Sequence, residues 1–218
     1  MLEDIDFLGL LSVSAMTVTI GCFLCGVFIC KQVIDKGSTE GISAVPFLLC
    51  FISTILWTRY GMLKDDSTVT AVNSIGAVFQ TLYLMFYYPY CLNRRYFQRQ
   101  LIGAISCVLL ILWYVHVPAR MSKRSTTDLG YICVASNICN LGAPLAGVRT
   151  VFRKKSTADL PFPLILTNFV CCILWFLYGT TVEDSFIVFP NIIGILLALI
   201  QLSLFIFYPR RRGTQQIL

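Results

Sequence analysis

Residues 38–76 read STEGISAVPFLLCFISTILWTRYGMLKDDSTVTAVNSIG, and 118 positions further on, residues 156–194 read STADLPFPLILTNFVCCILWFLYGTTVEDSFIVFPNIIG. Fourteen of the 39 aligned pairs are identical. Unrelated apolar sequences match by chance at Leu and Ile. These match in register at Ser38-Thr39 and Ser156-Thr157, Trp57 and Trp175, Tyr60-Gly61 and Tyr178-Gly179, Asp66-Ser67 and Asp184-Ser185, Asn73 and Asn191, and Gly76 and Gly194. The chain therefore carries an internal duplication, and a repeat of this kind sets the architecture before any local reading does.

Around the repeat, 57% of the 218 residues are hydrophobic and 13% are charged. A soluble domain carries about 25% charged residues. That deficit excludes an ordinary soluble enzyme, a disordered chain and a nucleic-acid binder, and leaves a polytopic membrane protein. A spanning helix needs about 20 apolar residues. Apolar runs at 7–30, 43–63, 67–90, 101–118, 131–151, 160–181 and 185–208 give seven spans. Two of the connections, 64–66 and 182–184, are short enough to make tight helical hairpins. Each copy of the repeat holds three spans. Three is odd, so a direct tandem copy would insert upside down, and the fourth span restores its direction. The predicted fold is an all-α membrane protein with seven transmembrane helices, arranged as two parallel three-helix bundles joined by a linker helix (3+1+3). Its parts are a first repeat at 7–90, the linker at 101–118, a second repeat at 131–208 and a short tail at 209–218. Transporters use such repeats and bind their substrate near mid-membrane, where the halves meet.

The net charge of +6 is then a topology signal rather than a partner signal. With the amino terminus outside or lumenal, 12 of the 17 basic residues fall on the inner side, as the positive-inside rule requires. The basic run 210–212 serves as a stop-anchor or touches anionic lipid. The acidic start Glu3-Asp4 lacks the basic region of a signal peptide, so the first run is expected to remain as a helix. All 10 cysteines lie inside or at the ends of apolar runs, and Cys22-x-x-Cys25 has no second pair, so they read as packing residues. The single His116 reads as interfacial. No metal site and no cofactor are expected.

Trp57 lies six residues before the outer end of its helix, and Asn73 lies six residues after the start of the next. At 1.5 Å per residue both sit about 9 Å below the same surface. Trp175 and Asn191 repeat the arrangement. Two amides and two aromatic plates suit a neutral polyol. An amide offers donors and an acceptor to adjacent hydroxyls, and an indole covers the C–H face of a pyranose while its N–H reaches an oxygen. The alternative is that the amides bridge helices and the indoles anchor at the interface. Ser53 and Cys171 lie one turn before each Trp on the same helix face. Asp66 and Asp184, in the tight loops, recur either as an outer gate or simply as helix caps.

The 3+1+3 pattern, the paired Trp-x-x-Tyr-Gly motifs (57–61 and 175–179), the paired Asn73 and Asn191, and Ala143-Pro144-Leu145 together resemble the SWEET family of sugar uniporters over nearly the whole chain, and the short tail resembles its animal members. The resemblance implies that positions 53 and 171 help set substrate size. It also implies a ring of four helix-loosening prolines as hinge and gate. Here Pro46, Pro144 and Pro161 are candidates, with Pro163 a rival to Pro161, and Gly26 stands where the fourth proline would be. It further implies the plasma membrane or Golgi as home.

None of the 11 acidic residues falls mid-helix. Proton-coupled carriers keep an ionisable group inside the membrane. The expected function is therefore facilitative, bidirectional, low-affinity transport of a sugar, with a monosaccharide such as glucose first, by alternating access without ion coupling. A millimolar site corresponds to about −4.1 kcal/mol. The alternative, a proton-coupled amino-acid exporter of the PQ-loop type, would carry Pro-Gln and a buried acid where this chain has Pro144-Leu145 and none. The expected partners are a small neutral sugar, the lipid bilayer and, through small residues such as Gly103-Ala104, a second copy in a homo-oligomer; no enzyme activity and no nucleic acid are expected.

Overall fold

The computed structural model describes residues 2–116 and 123–210. Among the described residues every regular element is helical: α1 (Leu2–Leu24), α2 (Gly26–Lys36), α3 (Val45–Leu63), α4 (Ser67–Tyr87) with a 3-10 turn at Tyr88–Tyr90, α5 (Arg94–His116), α6 (Lys123–Asn140), α7 (Gly142–Lys154), α8 (Phe162–Thr181) and α9 (Ser185–Phe207). Seven stretches are long and apolar enough to cross a membrane, and they match the seven expected spans. The first and fifth, Phe7–Lys36 and Arg124–Lys154, are longer than their apolar runs and broken, at Cys25 and at Leu141. The fourth starts at Arg94, before its apolar run, because arginine is a good helix former even where it cannot sit in hydrocarbon. The expected linker end at Pro118 and residues 211–218 of the tail, including Arg211 and Arg212, lie outside the described residues.

Packing divides the chain into two compact units, Met1–Asn140 and Leu141–Leu218. The division falls at the break in the fifth span, past position 131 where the second sequence repeat begins, because α6 packs on α3. In the first unit the α3–α4 hairpin is the core, with Leu56, Tyr60, Val69 and Val72 almost fully buried. Phe47, Tyr83, Tyr87 and Phe97 extend that core toward α5, and the rings of Tyr87 and Phe97 stack at 5.2 Å. In the second unit α7 packs on the α8–α9 hairpin around Val151, Leu160, Ile165, Ala198 and Leu204. Large side chains such as Phe28, Leu109, Trp113 and Ile206 are exposed, with Ile206 at 82%. On a water-soluble surface that would be a liability; in a bilayer it is the lipid-facing side.

The repeated polar residues turn out to be joints. Each hairpin turns through one residue in the left-handed region, Asp65 and Glu183, both at φ 54°. The next residue closes the loop. The Asp66 N–H donates to Gly61 O at 2.9 Å, and the Asp184 N–H donates to Gly179 O at 2.8 Å. Their side chains cap the following helices: Asp66 Oδ1 accepts from Val69 N and Asp184 Oδ1 from Phe186 N, both at 2.9 Å. Capping thus accounts for the recurrence of these two aspartates. Asp66→Ala and Asp184→Ala are each expected to cost about 1 kcal/mol of stability, read as a lower unfolding midpoint of the purified protein in detergent. A midpoint unchanged in both would contradict the capping role.

At the opposite ends the repeated Ser-Thr pair ties the loop before the hairpin to the end of its second helix. The Thr39 N–H donates to Tyr90 O and the Thr157 N–H to Pro209 O, each at 3.2 Å. The Thr39 hydroxyl reaches the same Tyr90 carbonyl, and the Thr157 hydroxyl reaches Tyr208 O.

Candidate substrate site

Trp57 stands six residues before Leu63, the last residue of α3, and Asn73 six residues after Ser67, the first of α4. Trp175 and Asn191 keep the same spacing from Thr181 and Ser185. The local geometry is duplicated as closely as the sequence. Trp57 meets Tyr60 edge-on with ring centroids 5.3 Å apart and planes at 79°, and Trp175 meets Tyr178 with the same two values. Asn73 Nδ2 donates to Val69 O at 2.9 Å, and Asn191 Nδ2 donates to Ile187 O at 2.7 Å. Each carboxamide is therefore pinned to its own helix by one N–H. Among the described residues its oxygen and its second N–H have no protein partner.

In the first unit the structure adds a residue that the sequence did not single out. Asn137, on α6, accepts at Oδ1 from Ser53 Oγ at 3.1 Å and from Trp57 Nε1 at 3.2 Å. Ser136 Oγ lies 3.2 Å from Ser53 Oγ. Ser53 and Trp57, placed on one face by their i,i+4 spacing, are thus joined through a single acceptor. The repeat comparison passes over Asn137 because its counterpart 118 positions earlier is Thr19, a different residue type. The polar cluster Ser136, Asn137 and Asn140 inside an apolar span was the available signal. In the second unit Cys171 and Trp175 lie on α8 and Asn191 on α9, and the neighbouring Cys172 Sγ fills the space where Gly194 lacks a side chain.

The hinge candidates sit at helix starts and breaks. Pro46 is the second residue of α3, Pro161 precedes α8, and Pro163 is its second residue, all positions where a missing N–H leaves no helical bond unmade. Pro144 follows the break at Leu141, and its carbonyl accepts from Gln201 Nε2 at 3.2 Å. Gly26 follows the break at Cys25, and a Cβ there would collide with the Tyr83 ring. The Tyr83 hydroxyl donates to Phe23 O beside that break at 3.0 Å. Glycine at 26 is therefore explained first by this close approach. His116 stands beside Arg59 at 3.5 Å, exposed at the end of α5.

The chain's relatives carry the same plan. A family model described as a sugar efflux transporter for intercellular exchange matches it twice, at residues 9–95 and 127–213, one match per copy of the repeat. A "Sugar transporter SWEET1" of Caenorhabditis elegans is 39% identical over 95% of this chain and 68% of its own length. Its namesake of Drosophila pseudoobscura pseudoobscura is 37% identical over 95% of this chain and 92% of its own. The solved structure of a eukaryotic SWEET transporter superposes with a TM-score of 0.83 at 28% identity, over 95% of this chain and 99% of that one. Seven spanning helices, a duplicated Trp-x-x-Tyr-Gly hairpin and a twofold match to one sugar-transporter model have a single reading: the chain is a multi-pass membrane protein, a transporter rather than an enzyme, and belongs to the SWEET family of sugar transporters in its animal form.

Proposed function

We propose that this chain carries a small neutral sugar, a monosaccharide such as glucose first, down its gradient in either direction by alternating access and without ion coupling. Asn73 and Asn191 bind its hydroxyls, Trp57 and Trp175 cover its C–H faces, and Ser53 and Cys171 bound the space beside each indole. Pro46, Pro144, Pro161 and Gly26 mark the flexing points, the amino terminus faces the outside or the lumen, and the membrane is the plasma membrane or the Golgi. The functional halves are the repeats 7–90 and 131–208 with 101–118 as linker, and copies associate as a homo-oligomer.

The duplicated pair of half-satisfied carboxamides carries the reading. Among the described residues each keeps an oxygen and one N–H without a protein partner, each stands six residues into its helix as each Trp stands six from the end of the preceding one, and no carboxylate lies mid-span to give a proton a handle. The test is labelled-sugar uptake by proteoliposomes, comparing glucose, fructose, sucrose and an amino acid with and without a pH gradient. Sugar uptake with a millimolar half-saturation and indifference to the gradient is expected. A strict proton requirement would overturn the uncoupled mechanism, and amino-acid uptake would overturn the substrate.

A further inference from the structure

Trp57 is buried, at 7% exposure, and its indole N–H can only donate. The atom of Asn137 that faces it at 3.2 Å must therefore be the carboxamide oxygen. The same oxygen accepts from Ser53 Oγ at 3.1 Å, so both its lone pairs are used, and turning the carboxamide would leave the buried Trp57 N–H facing another donor. Trp57 is thus held from two sides, by the Tyr60 ring packed edge-on and by Asn137 at the nitrogen. A ring fixed at its edge and at its N–H has one orientation. A plate that must meet one face of a pyranose needs one orientation, because a loose ring would have to be ordered anew at each binding event.

We propose that Asn137 is a positioning residue of the sugar site: it acts through Trp57, fixing the indole plane against which the sugar is bound. The proposal rests on the reading of Trp57 as a sugar-covering plate. It also makes the two halves unequal, since Thr19 at the matching position has no carboxamide.

The test is a double-mutant cycle on uptake by proteoliposomes loaded with equal, immunoblotted amounts of full-length protein. Asn137→Leu removes the acceptor, and Trp57→Phe keeps a ring but removes the N–H. Asn137→Leu is expected to raise KM about tenfold in the native background and less than about twofold in the Trp57→Phe background, because the bond it breaks is already absent there. Asn137→Asp keeps an acceptor oxygen whether or not it is protonated, and is expected to hold KM within about threefold of the native value. A tenfold KM increase that persists in the Trp57→Phe background, or an Asn137→Asp variant as impaired as the leucine one, would show that Asn137 does not act through the indole N–H. If Trp57→Phe raises KM and Asn137→Leu does not, the positioning role fails while the plate survives. If Trp57→Phe leaves KM unchanged, the indole N–H does not matter to binding and the inference fails, while the plate survives because phenylalanine keeps an aromatic face. Should the leucine variant not accumulate in the membrane, Asn137→Ala takes its place in the cycle with the same outcomes.

Discussion

Asn73→Ala is expected to abolish sugar uptake by proteoliposomes while the protein still inserts in native amounts, and Asn191→Ala to do the same. The two halves of this expectation have separate physical grounds. Insertion survives because, among the described residues, neither amide bridges two helices. Each gives one of its two N–H groups to a carbonyl of its own helix, Val69 O or Ile187 O, and that carbonyl keeps its backbone partner when the side chain is removed. No buried group is orphaned, so the change in stability is small. Transport fails because a weak site has little to lose. A millimolar site is worth about −4.1 kcal/mol, and an amide that makes two hydrogen bonds to adjacent hydroxyls supplies about 1–3 kcal/mol of it. Uptake at millimolar sugar is the measurement, with membrane-inserted protein quantified in parallel. Native transport by either variant would remove that amide from the site. Loss of inserted protein together with loss of uptake would mark a helix-bridging residue instead.

How much of this was legible in the sequence differs by level. The seven spans and the duplication stand on composition and on identities at Trp, Asn and Tyr-Gly, which follow from a bilayer's demand for apolar length and from a gene copy's register. The breaks at Cys25 and Leu141 fall next to Gly26 and three residues before Pro144, the two helix-loosening candidates in those spans, though neither break residue carries a signal of its own. The depth of Trp57 and Asn73 follows from counting residues from a tight loop, and the structure keeps that count. Asn137 could not be reached that way. Its partners Ser53 and Trp57 lie more than 80 positions away for one and 80 for the other, and only the packing of α6 on α3 brings them together. The aspartates show the opposite case. A sequence cannot tell a gate from a cap, while a bond of 2.9 Å to the Val69 or Phe186 N–H can.

The second large effect is on stability, and its sign is the informative part. A glycine inside a helix costs about 0.5–1 kcal/mol relative to alanine, so Gly61→Ala in α3 would ordinarily stabilise the protein. Here it is expected to do the reverse. A Cβ on Gly61 would lie 2.6 Å from Thr70 Oγ1, 2.8 Å from Thr70 N and 3.2 Å from Asp66 O. Two of these three atoms are backbone, in the loop and first turn that Asp66 closes by donating to the Gly61 carbonyl. They cannot rotate away, so α3 and α4 must separate. Forcing an extra methyl into a packed site costs about 1–3 kcal/mol, and Gly61→Ala should fall at the upper end, above either cap deletion. Gly179→Ala meets side-chain atoms instead, Ile187 Cγ2 at 2.9 Å and Cβ at 3.0 Å and Val188 Cγ2 at 3.1 Å, so the second hairpin has more room to adjust. The expected order of unfolding midpoints in detergent is native, then Gly179→Ala, then Gly61→Ala. A Gly61→Ala midpoint at or above the native one would mean that the glycine of the Trp-x-x-Tyr-Gly motif is not there to let the two helices touch, and that its recurrence in both hairpins has another cause.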